Sequence, residues 1–219
     1  MHKLANIIYL AEDEQLTFPL VYDDSGLVAI GGNLSPESLI NAYSKGVFPW
    51  YNDDEIIQWW SPEPRCVLYP TNIKISKSMR SVLKSPFFQF KVNENFEAII
   101  ESCSSTKRIN QDGTWIHDEI KKAYTDLHSL GIAMSAETYF KGELVGGLYG
   151  LKMGNVFFGE SMFSKISNAS KYALIKFAEF LHESGVGIID CQLETPHLIS
   201  LGAQLITREK FLEELDMHL

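Results

Sequence analysis

The chain has 219 residues, of which 45% are hydrophobic and 21% charged, and carries a formal net charge of −9. That length accommodates one large domain or two modest ones with a real core, and the composition is that of an ordinary globular protein. The acidic balance argues against indiscriminate binding to nucleic acid, because a polyanion is repelled at long range, so any such contact must be a local basic patch.

Cys66, Cys103 and Cys191 are odd in number, far apart and without metal-ligand spacing. Neither a disulfide framework nor a zinc site is expected, and a reducing compartment is. Residues 1–15 hold too short an apolar run for a signal peptide, and no stretch approaches membrane-spanning length. A cytoplasmic protein with no membrane partner is the expectation.

The first sixty residues are dense in turn formers, at Asp23-Asp24-Ser25-Gly26 and Gly31-Gly32-Asn33. Ser35-Pro36 starts a helix, with the hydroxyl as N-cap and proline in the first helical position, and Gly46 ends it. Phe48-Pro49-Trp50-Tyr51 and Trp59-Trp60-Ser61-Pro62-Glu63-Pro64-Arg65 follow. Their prolines predict a stiff loop, held out of helices and sheet interiors, that displays aromatics. A domain boundary falls close to Pro64, so that residues 1–63 form a small N-terminal domain and residues 64–219 the main one.

A second helix reads from Ser76 to Ser85, stopped by Pro86. Met79, Val82 and Leu83 form its apolar side, while Lys77, Arg80 and Lys84 recur at i, i+3 and i+7 on the other. That basic row is either a solvated face or a phosphate-contacting patch.

From residue 116 the order is clear. A helix runs to Leu130 and ends at Gly131; three strands follow, Ala136 to Phe140, Glu143 to Leu151 and Val156 to Phe163, with turns at Lys141-Gly142 and Gly154-Asn155. After the N-cap pair Ser167-Asn168, Leu174, Phe177, Ala178 and Leu181 mark an amphipathic helix that ends at Gly185. Val186 to Leu193 is a buried strand. Meander, helix, then strand is an α+β order in which the helix covers one sheet face.

In that last strand Asp190 and Gln192 stand two apart and should project together from an otherwise apolar segment. A buried carboxylate costs several kcal/mol unless hydrogen-bonded, so Asp190 needs a partner or a purpose; a satisfied structural pair and a functional pair both remain open. Gly159-Glu160 inside a strand suggests close approach of something to the backbone. Gly146-Gly147-Leu148-Tyr149-Gly150 is glycine-rich but lacks the strand-to-helix position and the lysine of a phosphate loop. His197 after Pro196 reads more readily as a packed or capping histidine than as a catalyst.

Phe48-Pro49-Trp50, Trp59-Trp60-Ser61-Pro62-Glu63-Pro64-Arg65, Gly113-Thr114-Trp115-Ile116, Glu143 to Gly150, Gly159-Glu160-Ser161-Met162-Phe163-Ser164, Asn168-Ala169-Ser170-Lys171, Asp190-Cys191-Gln192 and Ser200-Leu201-Gly202-Ala203 stand in that order along the chain. Taken together, these segments resemble leucyl/phenylalanyl-tRNA–protein transferases. Each motif is modest alone, but they occur in the family's order across residues 18 to 205.

The resemblance implies an α+β fold in which a small N-terminal domain joins an acetyltransferase-like (GNAT-like) mixed-sheet domain with flanking helices. It implies transfer of Leu or Phe, with Met a further candidate, from leucyl-tRNA or phenylalanyl-tRNA to proteins beginning with Arg or Lys, creating an N-degron. Asp190 and Gln192 would form a catalytic relay in which Asp190 polarises the Gln192 amide. Leu148, Phe157, Met162, Leu174, Phe177 and Ile189 would line the donor side-chain pocket, with Glu160 at its edge. Trp50 and Trp115 would hold the terminal adenosine, and Lys77, Arg80 and Lys84 are the candidate tRNA contacts. Neither a metal nor a cofactor is implied, since aminoacyl-tRNA is itself a co-substrate, and DNA is not an expected partner.

Three other readings stay open at this point. A coenzyme-A-dependent acetyltransferase would need a pyrophosphate loop that Lys165 to Ser170 does not offer. The others are a peptidoglycan-type aminoacyltransferase and a non-catalytic tRNA-binding module.

Overall fold

The computed structural model describes residues 7–17, 25–106 and 114–219. Asp23 and Asp24 of the first expected turn, and Gly113 of the Gly113-Thr114-Trp115 motif, lie outside the described residues.

The N-terminal part contains β1 (Ile8–Leu10), β2 (Leu27–Gly31), α1 (Pro36–Ser44), β3 (Phe48–Pro49) and β4 (Gln58–Trp60), its strands ordered β1-β2-β4-β3 in one sheet. Helix α1 begins as its sequence predicts: the Ser35 hydroxyl accepts from the Ser38 N–H at 3.2 Å, Pro36 follows, and Gly46 turns the chain out at φ +71°.

The expected stiff loop is instead partly sheet, because β3 and β4 pair antiparallel within it. Pro49 survives there because β3 is an edge strand, where a missing N–H breaks no ladder. Trp59 is not displayed but buried, its indole N–H donating to the Gly31 carbonyl at 2.8 Å.

The remainder builds a seven-stranded sheet, ordered β11-β5-β10-β9-β8-β7-β6. Its elements are β5 (Arg65–Leu68), α2 (Lys77–Leu83), β6 (Phe88–Val92), α3 (Phe96–Ser104), α4 (Asp118–Ser129), β7 (Ala133–Phe140), β8 (Glu143–Met153), β9 (Val156–Ser164), α5 (Ala169–Glu183), β10 (Ile188–Gln192), α6 (Pro196–Ser200), β11 (Gln204–Ile206) and α7 (Arg208–His218). The meander β7-β8-β9, the helix and the final buried strand match the order read from the sequence, and the architecture is α+β. Strands β5, β6 and β11, and helices α3, α6 and α7, are additions that sequence periodicity left unassigned.

Alternation along the strands divides the core in two. Leu148, Phe157 and Ile189 face α5 and meet Leu174, Phe177, Ala178 and Leu181. Tyr149, Phe158 and Ile188 face the other way, onto α3, α4, α7 and the N-terminal segment, in one continuous apolar cluster. Two glycines of β8 permit that close sandwich. A Cβ on Gly146 would meet the Ala169 Cβ of α5 at 2.6 Å, and one on Gly147 would meet Ile99 of α3 at 2.5 Å.

Asn168 does not cap α5: it sits at φ +69° without a side-chain cap, and Ser164 Oγ receives the Ser170 N–H at 3.3 Å instead. Among the described residues no helix is long and apolar enough to cross a membrane.

Candidate active site

Strand β10 runs parallel to β9 but pairs with it only through Ile188–Val156, Ile189–Phe157 and Asp190–Phe158. Beyond that point β9 continues along β8 as far as Ser164, while β10 stays with β5 and ends. The sheet therefore opens, and a cavity of about 570 Å³ lies at the opening. Leu148, Phe157, Met162, Leu174 and Ile189 line it as expected, together with Glu160, Gln192, Trp50 and Trp115. Phe177 does not: it is fully buried behind the wall, edge-on to the Phe157 ring at 4.8 Å between centroids. It supports the pocket wall from behind, through Phe157.

Asp190 does not line the cavity either. Its carboxylate faces the N-terminal segment and takes Arg65 in a two-pronged ion pair, Nε to Oδ1 at 2.8 Å and Nη2 to Oδ2 at 2.6 Å. Both residues have no exposed surface, and the guanidinium lies between the rings of Phe48 (5.0 Å) and Phe211 (4.5 Å). A fork-to-fork pair stacked on aromatics is the geometry in which a buried arginine is best held.

The expected contact from Asp190 to the Gln192 amide is corrected by the backbone. A bulge separates Asp190 from Gln192 in the β10–β5 ladder, and Gln192 adopts φ +62°. Simple two-residue alternation therefore fails at this step. Asp190 Oδ1 instead accepts the backbone N–H of Gln192 at 2.9 Å, holding a left-handed conformation that is unfavourable for glutamine. The Gln192 side chain turns to Glu160, donating from Nε2 to Oε1 at 2.9 Å.

Glu160 is the hub of the site's hydrogen bonds. It is the extra residue of a second bulge, where Tyr149 pairs with Ser161 and Gly150 with Gly159. A Cβ on Gly159 would meet only ordinary contacts, so this glycine marks the bulge and not a close approach. Tyr43 of α1 and Tyr124 of α4 also hydrogen-bond the carboxyl group, at 2.7 and 3.0 Å, and their phenol oxygens meet, so the three groups share their protons around a ring. Burial pushes Glu160 up to about 7 against the downward pull of its hydrogen bonds to Tyr43 and Tyr124, although the residue keeps some surface open to the cavity. Burial likewise pushes both tyrosines well above their usual range.

These partners are 117 and 36 residues from Glu160 and left no local signal in the sequence. Arg65 did leave one, as the single charge opening the buried strand Arg65-Cys66-Val67-Leu68.

Trp50 is 36% exposed and Trp115 9%, and both stand at the cavity. His197 is half-buried on the wall, its pKa lowered by burial and by Lys171. Lys77, Arg80 and Lys84 project into solvent from α2, whose Met79 packs into the α5 side of the core, and none of the three lines the cavity. Among the described residues no group of three His, Cys, Asp or Glu side chains is placed to hold a metal.

An apolar pocket with one carboxamide–carboxylate contact at its polar end suits a ligand that is hydrocarbon at one end and reactive at the other. Comparison with known proteins is specific. Residues 67–216 match the model of the leucyl/phenylalanyl-tRNA protein transferase family, and residues 32–63 match that of its N-terminal domain. The leucyl/phenylalanyl-tRNA–protein transferase of Christiangramia forsetii is 53% identical over 193 residues, covering 87% of this chain and 91% of that protein. Those of Nitrosomonas europaea (50% over 194 residues, 89% and 82%) and Pseudomonas putida (48% over 210 residues, 94% and 92%) are similarly close. The chain belongs to the leucyl/phenylalanyl-tRNA–protein transferase family. Likeness to solved structures is much fainter: a GCN5-related N-acetyltransferase from Kribbella flavida aligns with a TM-score of 0.38 at 10% identity, over 78% of this chain and 61% of that one.

Proposed function

We propose that this chain moves leucine or phenylalanine, with methionine a further candidate, from aminoacyl-tRNA onto proteins whose N-terminal residue is Arg or Lys, marking them for degradation in the cytoplasm. The observation that carries the mechanism is the Gln192–Glu160 bond. The Gln192 NH₂ group donates to Glu160, which leaves its carbonyl oxygen as the end available to an incoming amine.

The donor ester carries its own activation, so no covalent intermediate, metal, ATP or coenzyme A is required. The amine nitrogen bonds to the ester carbonyl carbon, the bond to the ribose oxygen breaks, and one proton passes overall from the amine to the departing hydroxyl. Gln192 holds the neutral amine in line, and orientation of this kind supplies much of the rate. A carboxamide is too weak a base to take the proton itself. Asp190 and Arg65 act through the Gln192 backbone as positioning residues.

Leu148, Phe157, Met162, Leu174 and Ile189 hold the donor side chain, rejecting β-branched residues by shape. Trp50 and Trp115 offer stacking surfaces for the terminal adenosine, worth about 1–3 kcal/mol per base. Lys77, Arg80 and Lys84 form the local basic patch that an acidic protein needs to hold tRNA. We read residues 1–63 and 64–219 as two domains, the second acetyltransferase-like and catalytic. They share one apolar cluster, and Tyr43 of the first reaches Glu160 of the second.

The test is incubation of the purified protein with radiolabelled leucyl-tRNA and an Arg-starting peptide, without cofactors. Label in the peptide is expected. Label appearing only in a peptidoglycan precursor, or tRNA binding without transfer, would replace this reading.

A further inference from the structure

Distant in sequence, two of the three cysteines meet in the fold. Cys66 of β5 lies opposite Gln192 of β10, and the bulge at that step inserts Cys191 beside it. Both pack on the same side: Cys66 with Leu68 on β5, and Cys191 with Ile189 on β10, all in the apolar cluster around α5. The two thiols interact directly, which holds Cys66 below its usual range and, together with burial, pushes Cys191 well up. Such a pair releases its first proton far more readily than its second. Cys191 is half-buried and lines the cavity, whereas Cys66 is fully buried behind it. Cys103 is buried in the other cluster.

From this juxtaposition of an accessible and a buried thiol across the β5–β10 ladder, we propose that Cys66 and Cys191 are the site of a reversible disulfide that switches the cavity off. The oxidant is a small peroxide entering through the cavity. The thiolate formed when the pair gives up its first proton attacks the O–O bond, giving a sulfenic acid and one water. The other thiol then displaces the sulfenic oxygen as a second water, forming the S–S bond. Two thiols lose two electrons, and hydrogen peroxide is reduced to two waters. The new bond ties β5 to the residue just before Gln192. Gln192 keeps its left-handed backbone through the Asp190 contact and its amide direction through Glu160, so a covalent pull at Cys191 re-aims that amide. Only the activity readout rests on the function proposed above.

The full-length protein is treated with hydrogen peroxide, digested without reduction and examined by mass spectrometry, while leucyl transfer is assayed on the same samples. A Cys66–Cys191 linked peptide, two hydrogens lighter than its parts, is expected. Transfer should fall in proportion to that peptide and return with dithiothreitol. Cys66→Ala should transfer normally before treatment and keep its activity at the dose that silences the wild type, while Cys103→Ala should behave as wild type. Absence of the linked peptide, or its accumulation with transfer unchanged, overturns the switch. So does a Cys66→Ala protein that peroxide silences and dithiothreitol restores. A reduced wild-type protein that transfers nothing counts against the proposed function instead, and mass spectrometry still decides whether the pair forms.

Discussion

Replacing Asp190 by Asn changes one charge and almost no volume. The remaining Oδ1 can still accept the Gln192 N–H, but Arg65 is left as a buried cation without its counter-charge, 0% exposed. Breaking a buried pair by neutralising one partner costs about 3–5 kcal/mol. The rings of Phe48 and Phe211 flank the guanidinium in wild type and variant alike, so they do not reduce that cost. Against a total of about 5–15 kcal/mol for a typical domain, the variant should fold but melt several degrees lower.

Gln192→Ala behaves differently. It removes one of three side-chain hydrogen-bond partners of Glu160, which costs about 1–3 kcal/mol, and it removes the proposed acceptor for the amine. If Gln192 orients the amine, both variants should lower single-turnover transfer at saturating donor while tRNA affinity holds. The double mutant should be little worse than the more damaging single one, since the residues act as a unit. Melting temperature and single-turnover rate are measured on the same preparations. A destabilised but fully active Gln192→Ala protein would refute the mechanism, leaving Gln192 and Asp190 as structural residues.

Because Glu160 is pushed up to about 7 in the folded state, the folded protein binds the extra proton, so its contribution to stability is complete below the ordinary carboxylate range and is lost as pH rises through 7. The melting temperature of wild type relative to Glu160→Gln should therefore fall between pH 5 and pH 8, and a constant difference would contradict the shift. Met162→Ala enlarges the cavity wall and should admit bulkier aromatic donors while weakening the preference for Leu by about 1–3 kcal/mol; an unchanged donor ranking in the folded variant would remove Met162 from the donor contacts. Charge reversal at Lys77 and Arg80 should weaken tRNA binding and flatten its salt dependence, with transfer from an aminoacyl-adenosine nearly intact. Unaltered tRNA affinity would return α2 to an ordinary solvated face.

Helices and hairpins with their own local signals were legible from the amino acids. Ser35-Pro36 and Ser76 cap α1 and α2 where expected, and Gly131 and Gly185 turn the chain where α4 and α5 end. The β7-β8-β9 meander follows its turn residues. Five of six expected apolar pocket residues line the cavity, because each belongs to a strand or helix whose buried face is set by its own period. The misses share a cause. Phe177 lies on the right face of α5 but one layer too deep, and burial alone does not distinguish a wall from what supports it. Trp59 was read as displayed because prolines flank it, yet short strands run between those prolines.

What the sequence determined by itself was the α+β order, the caps, the buried faces and, through eight motifs in one order, the family. What only the tertiary structure decided was which groups meet. Asp190 reaches Arg65 across 125 positions, Glu160 gathers Tyr43 and Tyr124 from two helices, and Cys66 finds Cys191. Each of those meetings depends on strand register, and two single-residue bulges, at Cys191 and Glu160, shift that register locally. A period-two pattern specifies which face a side chain takes, but one inserted residue redirects everything beyond it, and the free energy that holds the bulge lies in partners far away along the chain.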